Sequence, residues 1–279
     1  MRRRRPGHGD DRGAHLIELH VEEHGDGFPL LLIAGLGDSK YTSRAQWADY
    51  AQRRRVLALD NRGAGLSAKP PGPYTIELMA DDAASVLDAR GLDRADVYGY
   101  SMGGYIALML AARRPDLVRS LVLACTGPGG PEHEPPPADT IDIWMRASEL
   151  PRDEAVRMAY ETAFTPGWID DHPQEYDRWV AARLDPPTPV ESWLAQVAAV
   201  DRYREVGVNV ERIDVPALVV HGELDRVVPV SNGGLLAARM PRAELALLPN
   251  HGHAPMLEEP GPFGELVCGF LDRVETNSA

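Results

Sequence analysis

The chain has 279 residues, of which 44% are hydrophobic and 25% charged, and its formal net charge at pH 7 is −13. These values are typical of a globular protein large enough for one domain with an insertion. The negative charge argues against nucleic acid as a partner, because a basic surface is needed to displace phosphate counterions. No apolar run approaches the ~20 residues that span a bilayer, so membrane insertion is not expected.

The N-terminal basic run, Arg2–Arg5, is followed by Pro, Gly and Asp residues rather than by an apolar stretch. We therefore expect residues 1–13 to form a disordered basic tail and not a secretory signal. The two cysteines, Cys125 and Cys268, do not make a disulfide framework in a chain of this length, and we expect buried free thiols. Both features favour a cytoplasmic location.

Strand and helix patterns alternate through the first half of the chain. An alternating apolar stretch over residues 16–21 predicts a half-buried antiparallel strand, and the continuous apolar run 29–34 predicts a strand covered on both faces. Further strands are predicted at 56–59, 96–100 and 120–124, and helices at 43–52, 74–90 and 102–113. Thr75 is expected to cap the second helix and Gly91 to end it. This alternation favours parallel β-α-β units.

The pattern changes between residues 128 and 212, where the apolar spacing is helical only. Strands at 215–220 and 244–248, with helices at 233–240 and 262–274, then resume the alternation. We therefore predict an α/β core, a mostly parallel sheet flanked by helices, formed by residues 14–127 and 213–279. Residues 128–212 are predicted to form an inserted helical cap.

The predicted cap is acidic and rich in tryptophan. Between residues 131 and 212 it has seventeen acidic residues against eight basic ones. Four of the five tryptophans of the chain lie in it: Trp144, Trp168, Trp179 and Trp193. These side chains suit the wall of a mostly apolar pocket, and they suit the cap's own small core equally well.

The turn Gly99–Gly103 reads Gly-Tyr-Ser-Met-Gly between a predicted strand and a predicted helix. A nucleophile on such a turn has strained backbone angles, and its neighbours two residues away must lack side chains to let strand and helix approach. The N–H of Met102, at the helix N-terminus, would point towards a developing oxyanion. Ser101 is therefore a candidate nucleophile, and a tight turn without chemistry is the alternative.

A serine hydroxyl needs a base that is itself held in place. Two later loops, each after a predicted strand, supply candidates: Glu223 and Asp225 in one, His251 and His253 in the other. In an open parallel sheet these loops emerge at the same edge as the serine. The two histidines could also suggest a metal pair, but nothing nearby completes a ligand set, so neither a metal nor a cofactor is expected.

Three motifs together resemble the α/β-hydrolase superfamily: G-x-S-x-G at 99–103, G-x-x-D-x-x-x-P at 222–229 and G-H-x-x-x-x-E at 252–258. The resemblance covers nearly the whole chain outside the tail and the cap. It implies Asp225 rather than Glu223 as the acid, and His253 rather than His251 as the base. His221, Glu223 and His251 are then assigned to loop packing or to solvent.

The family's oxyanion loop follows an early core strand and commonly begins His-Gly, whereas this chain has Ala34–Ser39 there. The residue that matches the family's backbone donor is Leu36, which together with Met102 would form the oxyanion hole. Gly35 and Tyr100 are further candidates for the pocket wall. Residues 60–67 resemble another loop of the superfamily and are interpreted as scaffold near the pocket.

A serine at the nucleophile position implies acyl chemistry, because relatives that form alkyl-ester intermediates have an aspartate there. The resemblance thus implies a serine hydrolase that acts on an ester, lactone or thioester of a small, largely apolar acyl substrate. Three alternatives stay open: a non-hydrolytic cyclase or lyase of specialised, polyketide-type metabolism, a carbon–carbon bond hydrolase, and a small-molecule receptor that keeps the triad.

Overall fold

The computed structural model describes residues 17–39 and 44–277. Its strands are β1 (Val21–His24), β2 (Phe28–Ile33), β3 (Arg54–Leu59), β4 (Ala95–Tyr100), β5 (Val118–Ala124), β6 (Ala217–Gly222) and β7 (Ala243–Leu248). They form a seven-stranded sheet in the order β1-β3-β2-β4-β5-β6-β7. Among the described residues, β1 alone runs antiparallel to its neighbour. The predicted basic tail lies outside the described residues.

The helices flank this sheet and confirm the predicted α/β-hydrolase architecture. They are α1 (Arg44–Tyr50), α2 (Ile76–Asp88), α3 (Met102–Arg113), α4 (Ala138–Ala147), α5 (Arg152–Glu161), α6 (Trp168–Asp171), α7 (Pro173–Leu184), α8 (Val190–Val206), α9 (Val230–Arg239), α10 (Pro255–Glu258) and α11 (Pro260–Thr276). Helices α4 to α8 all lie between β5 and β6 in the chain. None of the described helices is both long and apolar enough to cross a membrane.

Both faces of the central strands are buried, as the continuous apolar run in β2 predicts. Leu31 and Ile33 pack into the cluster that contains residues of α2 and α3. Leu30 and Leu32 point to the opposite face, into a cluster with residues of α1 and α11. Successive side chains of a strand alternate between the two faces, so a strand between two helical layers must be apolar at every position.

The second helix begins and ends where its sequence signals indicate. The hydroxyl of Thr75 accepts a hydrogen bond from the amide of Leu78 at 3.1 Å and so satisfies a free donor at the helix N-terminus. Gly91, just beyond the helix, has φ +61°, a left-handed conformation that glycine adopts without steric cost.

The first strand is Val21–His24, so it overlaps the predicted strand of residues 16–21 only at Val21, and the described residues 17–20 lie outside it. The preceding residues bond to a loop rather than to a strand. The carbonyl of Glu18 accepts from the amide of Ala68 at 2.9 Å, and the amide of His20 donates to the hydroxyl of Ser67 at 2.8 Å. An alternating pattern predicts which face is buried, but it does not reveal that the partner is a loop.

Candidate active site

Ser101 lies on a sharp turn between β4 and α3, with φ +53° and ψ −118°. Residues other than glycine seldom adopt a positive φ, and such strain is found most often at functional sites. A Cβ atom added to Gly99 would lie 2.3 Å from the carbonyl oxygen of Gly103, and one added to Gly103 would lie 2.1 Å from that of Ile33. Both positions must be glycine because the strand and the helix approach this closely.

Ser101, His253 and Asp225 form a continuous hydrogen-bonded chain. The Nε2 atom of His253 lies 3.0 Å from the Oγ atom of Ser101, and its Nδ1 atom lies 2.7 Å from the Oδ2 atom of Asp225. Asp225 follows β6 and His253 follows β7, so both loops emerge at the carboxyl edge of the sheet where β4 ends. The His253 ring also packs against the Tyr100 ring at a centroid distance of 5.0 Å.

The carboxylate of Asp225 is buried, and both of its oxygen atoms accept hydrogen bonds. Its Oδ1 atom accepts hydrogen bonds from the amides of Val227 and Val228, both at 2.8 Å. Burial by itself raises the pKa of Asp225, but the charge of His253 and the hydrogen bonds from His221 and His253 outweigh that effect. The pKa therefore lies well below its ordinary range, and the residue is an anion suited to orient an imidazole and to stabilise its protonated form.

His221 is a fourth member of this hydrogen-bonded group, although the sequence analysis assigned it to loop packing or solvent. It is fully buried at the end of β6, and its Nε2 atom lies 3.2 Å from Oδ2 of Asp225 and 2.8 Å from the carbonyl oxygen of Val228. Because both neighbours are acceptors, Nε2 carries the hydrogen. The signal for this role was its position, since it stands on the strand from which the Asp225 loop departs.

Two adjacent glycines in α9 offer a test of the role of His221. A Cβ atom on Gly233 would lie 2.3 Å from Nδ1 of His221, whereas one on Gly234 would meet nothing within 4 Å. We expect Gly233→Ala to push His221 away from Asp225, to lower stability by about 1–3 kcal/mol and to lower kcat/KM about tenfold.

Gly234→Ala is the matched control, because it makes the same change in the same helix without the clash. It is expected to leave ester turnover unchanged and to stabilise the protein by up to about 1 kcal/mol through helix propensity. Urea unfolding and ester kinetics measure both quantities. Identical behaviour of the two variants would show that the packing of His221 against α9 does not support the site.

The two predicted oxyanion donors are backbone amides, one in the loop after β2 and one in the first turn of α3. Neither the Leu36 amide nor the Met102 amide has a hydrogen-bond acceptor within residues 17–39 and 44–277. Met102 is the first residue of α3, where an amide has no partner inside the helix. Leu36 lies in a turn closed by a hydrogen bond of 3.2 Å from the Asp38 amide to the Gly35 carbonyl.

A buried polar group that the sequence analysis missed lies beside this turn. The Oδ1 atom of Asp38 accepts hydrogen bonds from the Tyr160 hydroxyl at 3.0 Å and from the Arg183 guanidinium. The guanidinium carbon of Arg183 lies 4.6 Å from the centroid of the Tyr160 ring. Burial by itself lowers the pKa of Arg183, but the neighbouring Asp38 raises it by more, so the net shift is upward and the guanidinium keeps its positive charge. The backbone of Gly35 lies close to the Tyr100 ring, because a Cβ atom added to this glycine would lie 3.2 Å from that ring.

Trp168 and Trp179 pack among other aromatic residues of the predicted cap. The Trp168 ring stacks on Phe164 at a centroid distance of 4.7 Å, and the Trp179 ring contacts Tyr160 at 4.6 Å. Both indoles belong to the apolar cluster that includes Phe164. Their placement supports a structural contribution to the cap, while the contact with Tyr160 brings Trp179 next to the Asp38 group.

Trp144 and Trp193 have different surroundings. The indole N–H of Trp144 donates to the Thr162 hydroxyl at 3.0 Å and ties α4 to the end of α5. Trp193, on α8, is partly exposed and lies against the turn that carries Leu36, where a Cβ on Gly37 would be 2.9 Å from its ring. Trp193 therefore contacts the predicted oxyanion loop directly.

Cys125 lies beside the hydrogen-bonded chain. Both cysteines are free, as expected, but only Cys125 is buried, whereas Cys268 is half-buried. The ligand atoms of Cys125, Asp225 and His253 all lie within 4.8 Å of one another. This set fits a resident metal ion poorly, because Asp225 and His253 already bond to each other and burial raises the pKa of the Cys125 thiol well above its ordinary value. The thiolate, not the thiol, is the form that binds metals.

Comparisons with known proteins place the chain in a family. The sequence model of the α/β hydrolase fold matches residues 29–260, which is most of the chain and includes all three members of the Ser101–His253–Asp225 chain. The chain belongs to the α/β-hydrolase fold family. The fold class that the three motifs implied is thereby confirmed.

Relatives within the α/β-hydrolase family are hydrolases with several substrates. The chain is 30% identical over 273 residues to a 2-hydroxymuconate semialdehyde hydrolase of Pseudomonas sp. (strain CF600), covering 91% of this chain and 90% of the relative. The solved structure of an N-acyl homoserine lactone degrading enzyme has a TM-score of 0.79 and 30% identity, covering 91% and 97% of the two chains. The enol-lactonase of Burkholderia xenovorans LB400 has a TM-score of 0.80 and 26% identity, covering 92% and 97%. This protein is a hydrolase of the same fold.

Proposed function

We propose that the protein hydrolyses a carboxylic ester, lactone or thioester through an acyl-enzyme intermediate on Ser101. The observation that supports this most strongly is the hydrogen-bonded chain from Ser101 through His253 to Asp225, with heavy-atom distances of 3.0 and 2.7 Å. A hydroxyl, an imidazole and a buried carboxylate in this order are the components that nucleophilic acyl transfer requires. Metal ions and organic cofactors have no part in this mechanism.

Acylation begins when the Oγ atom of Ser101 attacks the substrate carbonyl while its proton moves to Nε2 of His253. Asp225 holds the Nδ1–H tautomer and stabilises the imidazolium that forms. The negative charge on the former carbonyl oxygen is stabilised by the amides of Leu36 and Met102. The tetrahedral intermediate then collapses, and His253 gives the proton to the leaving alcohol, hydroxyl end of a lactone, or thiol.

Deacylation repeats these steps with water as the nucleophile. His253 takes a proton from water, which attacks the acyl carbonyl, and the same two amides stabilise the second oxyanion. When this intermediate collapses, the proton returns to Oγ of Ser101 and the carboxylic acid is released.

Residues 128–212 act in this proposal as a cap over a small, largely apolar acyl substrate, with residues 14–127 and 213–279 as the catalytic core. The position of α4 to α8 between β5 and β6, and the contacts of Arg183 and Trp193 with the loop that carries Leu36, support this division. The excess of acidic residues in the cap disfavours strongly anionic substrates by long-range repulsion.

A panel of p-nitrophenyl esters, lactones and thioesters, extended to 2-hydroxymuconate semialdehyde because one relative bears that name, tests the proposal and narrows the substrate class. A fluorophosphonate probe is applied in parallel to the protein and to its Ser101→Ala variant. We expect stoichiometric labelling that requires Ser101, with turnover of at least one ester or lactone. Labelling without turnover across the panel would instead support a receptor, cyclase or lyase, and turnover of the semialdehyde alone would support carbon–carbon bond hydrolysis.

A further inference from the structure

Side chains from the predicted cap hold the loop that carries the Leu36 amide. Three of them bond to its backbone: Nη2 of Arg183 donates to the Leu36 carbonyl at 2.7 Å, the Gly37 amide donates to Oε1 of Gln196 at 2.6 Å, and the Thr188 hydroxyl donates to the Gly37 carbonyl at 3.2 Å. Arg183 also bonds to the Asp38 carboxylate, as described above. Two consecutive peptide groups are thus fixed by residues that lie 147 to 159 positions further along the chain.

The peptide group between Leu36 and Gly37 is held from both sides. Arg183, at the end of α7, binds its carbonyl, and Gln196, in α8, accepts from its N–H. A peptide group is planar, so two opposed hydrogen bonds fix its orientation. That orientation sets the ψ angle of Leu36 and thereby constrains the preceding peptide, whose N–H is the proposed oxyanion donor.

The core makes a smaller contribution to the same loop. Nδ2 of Asn61 donates to the Ala34 carbonyl at 2.9 Å, which fixes the start of the loop but not the peptide after Leu36. Gln196 also connects this loop to the core, because its Nε2 atom donates to the carbonyl of Arg62 at 2.8 Å. Its amide therefore bridges the oxyanion loop and the scaffold loop of residues 60–67.

Burial and backbone geometry show that this arrangement is specific to one loop conformation. Gln196 is completely buried and Arg183 nearly so, and a buried polar group without a partner costs about 1–3 kcal/mol. Gly37 has φ +65°, and a Cβ there would lie 2.9 Å from both the Arg183 guanidinium and the Trp193 ring. Side chains of α7 and α8 therefore pack closely against this loop conformation.

We propose that Arg183 and Gln196 are positioning residues that complete the oxyanion hole, so that the Leu36 amide is aimed at the reacting carbonyl only while α7 and α8 are docked on the loop. The proposal rests on the acyl-transfer function proposed above. It assigns the cap a part in stabilising the transition state in addition to any part in enclosing the substrate. The effect of both residues on the reacting atoms passes through the backbone of Leu36.

The test compares Gln196→Met and Arg183→Met with the unmodified protein, using p-nitrophenyl acetate as an uncharged substrate. Loss of one oxyanion donor lowers kcat by about 10²–10³-fold, and loosening of its loop should give a smaller effect of about 10- to 100-fold. We expect this fall in kcat with KM changed by less than about threefold. The affinity for a trifluoromethyl ketone, which forms an oxyanion on Ser101, should fall by the same factor as kcat/KM.

Two further variants keep the test decisive. Thr188→Val preserves side-chain shape while removing one bond to the loop, so it should remain folded and show a fall in kcat of about three- to tenfold. Arg178→Met is the matched control, because Arg178 lies on α7, is largely exposed and pairs with Glu175. Its kinetics should not change.

Folded Gln196→Met, Arg183→Met and Thr188→Val proteins with unchanged kcat and unchanged ketone affinity would overturn the proposal. A rise in KM alone would also overturn it, because it would indicate contact with the substrate rather than control of the oxyanion loop. Failure of the proposed function gives a different result: either the unmodified protein would not turn over the ester, or turnover would persist in Ser101→Ala, whatever the cap variants do.

Discussion

Ser101→Ala is expected to lower kcat for ester hydrolysis by about 10⁵-fold or more, because the proposed acyl-enzyme forms on the hydroxyl that this substitution removes. The substitution removes one oxygen atom from a turn whose conformation is fixed by Gly99, Gly103 and the close approach of β4 and α3. The fold should therefore be unchanged, and the thermal unfolding temperature should stay within a few degrees of that of the unmodified protein. Initial rates with a p-nitrophenyl ester, measured on protein purified from a host without background esterase, give the factor.

Ser148→Ala is the control for this prediction. The Ser148 hydroxyl donates to the Met145 carbonyl at 2.6 Å at the exposed C-terminal end of α4, so the same chemical change should leave turnover intact. A loss of less than about 100-fold in a folded Ser101→Ala protein would be too small for the loss of a covalent nucleophile. It would assign the measured turnover to another group.

Asp225→Asn is expected to lower kcat by about 10⁴-fold while preserving the fold. Oδ1 of Asp225 accepts from the amides of Val227 and Val228, so the carbonyl oxygen of an asparagine would take that position and its NH₂ group would face His253. His253 would then have to accept at Nδ1 and carry its hydrogen on Nε2. In that tautomer it cannot take the proton of Ser101.

Asp139→Asn makes the same change at an exposed carboxylate that pairs with Arg226, one residue from Asp225. Its kcat should stay within about twofold of the unmodified value, because exposed ion pairs contribute little. Circular dichroism shows whether both variants are folded, and pH–rate profiles show whether the base still titrates. An Asp225→Asn enzyme with nearly full activity would mean that this carboxylate does not orient the catalytic imidazole.

The strands and helices could be predicted from local patterns because their apolar spacing reports which faces are buried. The continuous run in β2 indicated a strand between two helical layers, and Thr75 indicated the start of α2. The extent of β1 could not be predicted, because residues 18–20 form hydrogen bonds with a loop that lies at least 40 residues further along the chain. Patterns along one segment carry no information about the partner of that segment.

The residues of the candidate site likewise fall into two groups: those that a local pattern predicts, and those that only the fold brings together. Ser101 stood out because its turn imposes glycine at two neighbouring positions, which is a local steric requirement. Arg183 and Gln196 left no such signal, because an arginine or glutamine in the predicted cap cannot be told from a solvated residue until the fold brings it against Leu36 and Gly37. The role of His221 is also a matter of packing, since a strand-end histidine becomes a partner of Asp225 only through the bend of the following loop.

The most direct test of the proposed chemistry is rapid-quench mass spectrometry during the first turnover of a p-nitrophenyl ester with a bulky acyl group, chosen because it slows deacylation. The account predicts a transient mass increase equal to the acyl group, located by peptide mapping on the Gly99–Gly103 turn and absent from Ser101→Ala. It also predicts that the adduct accumulates in Asp225→Asn more slowly, in step with its lower rate. Sustained turnover with no adduct, or an adduct on a residue other than Ser101, would contradict it.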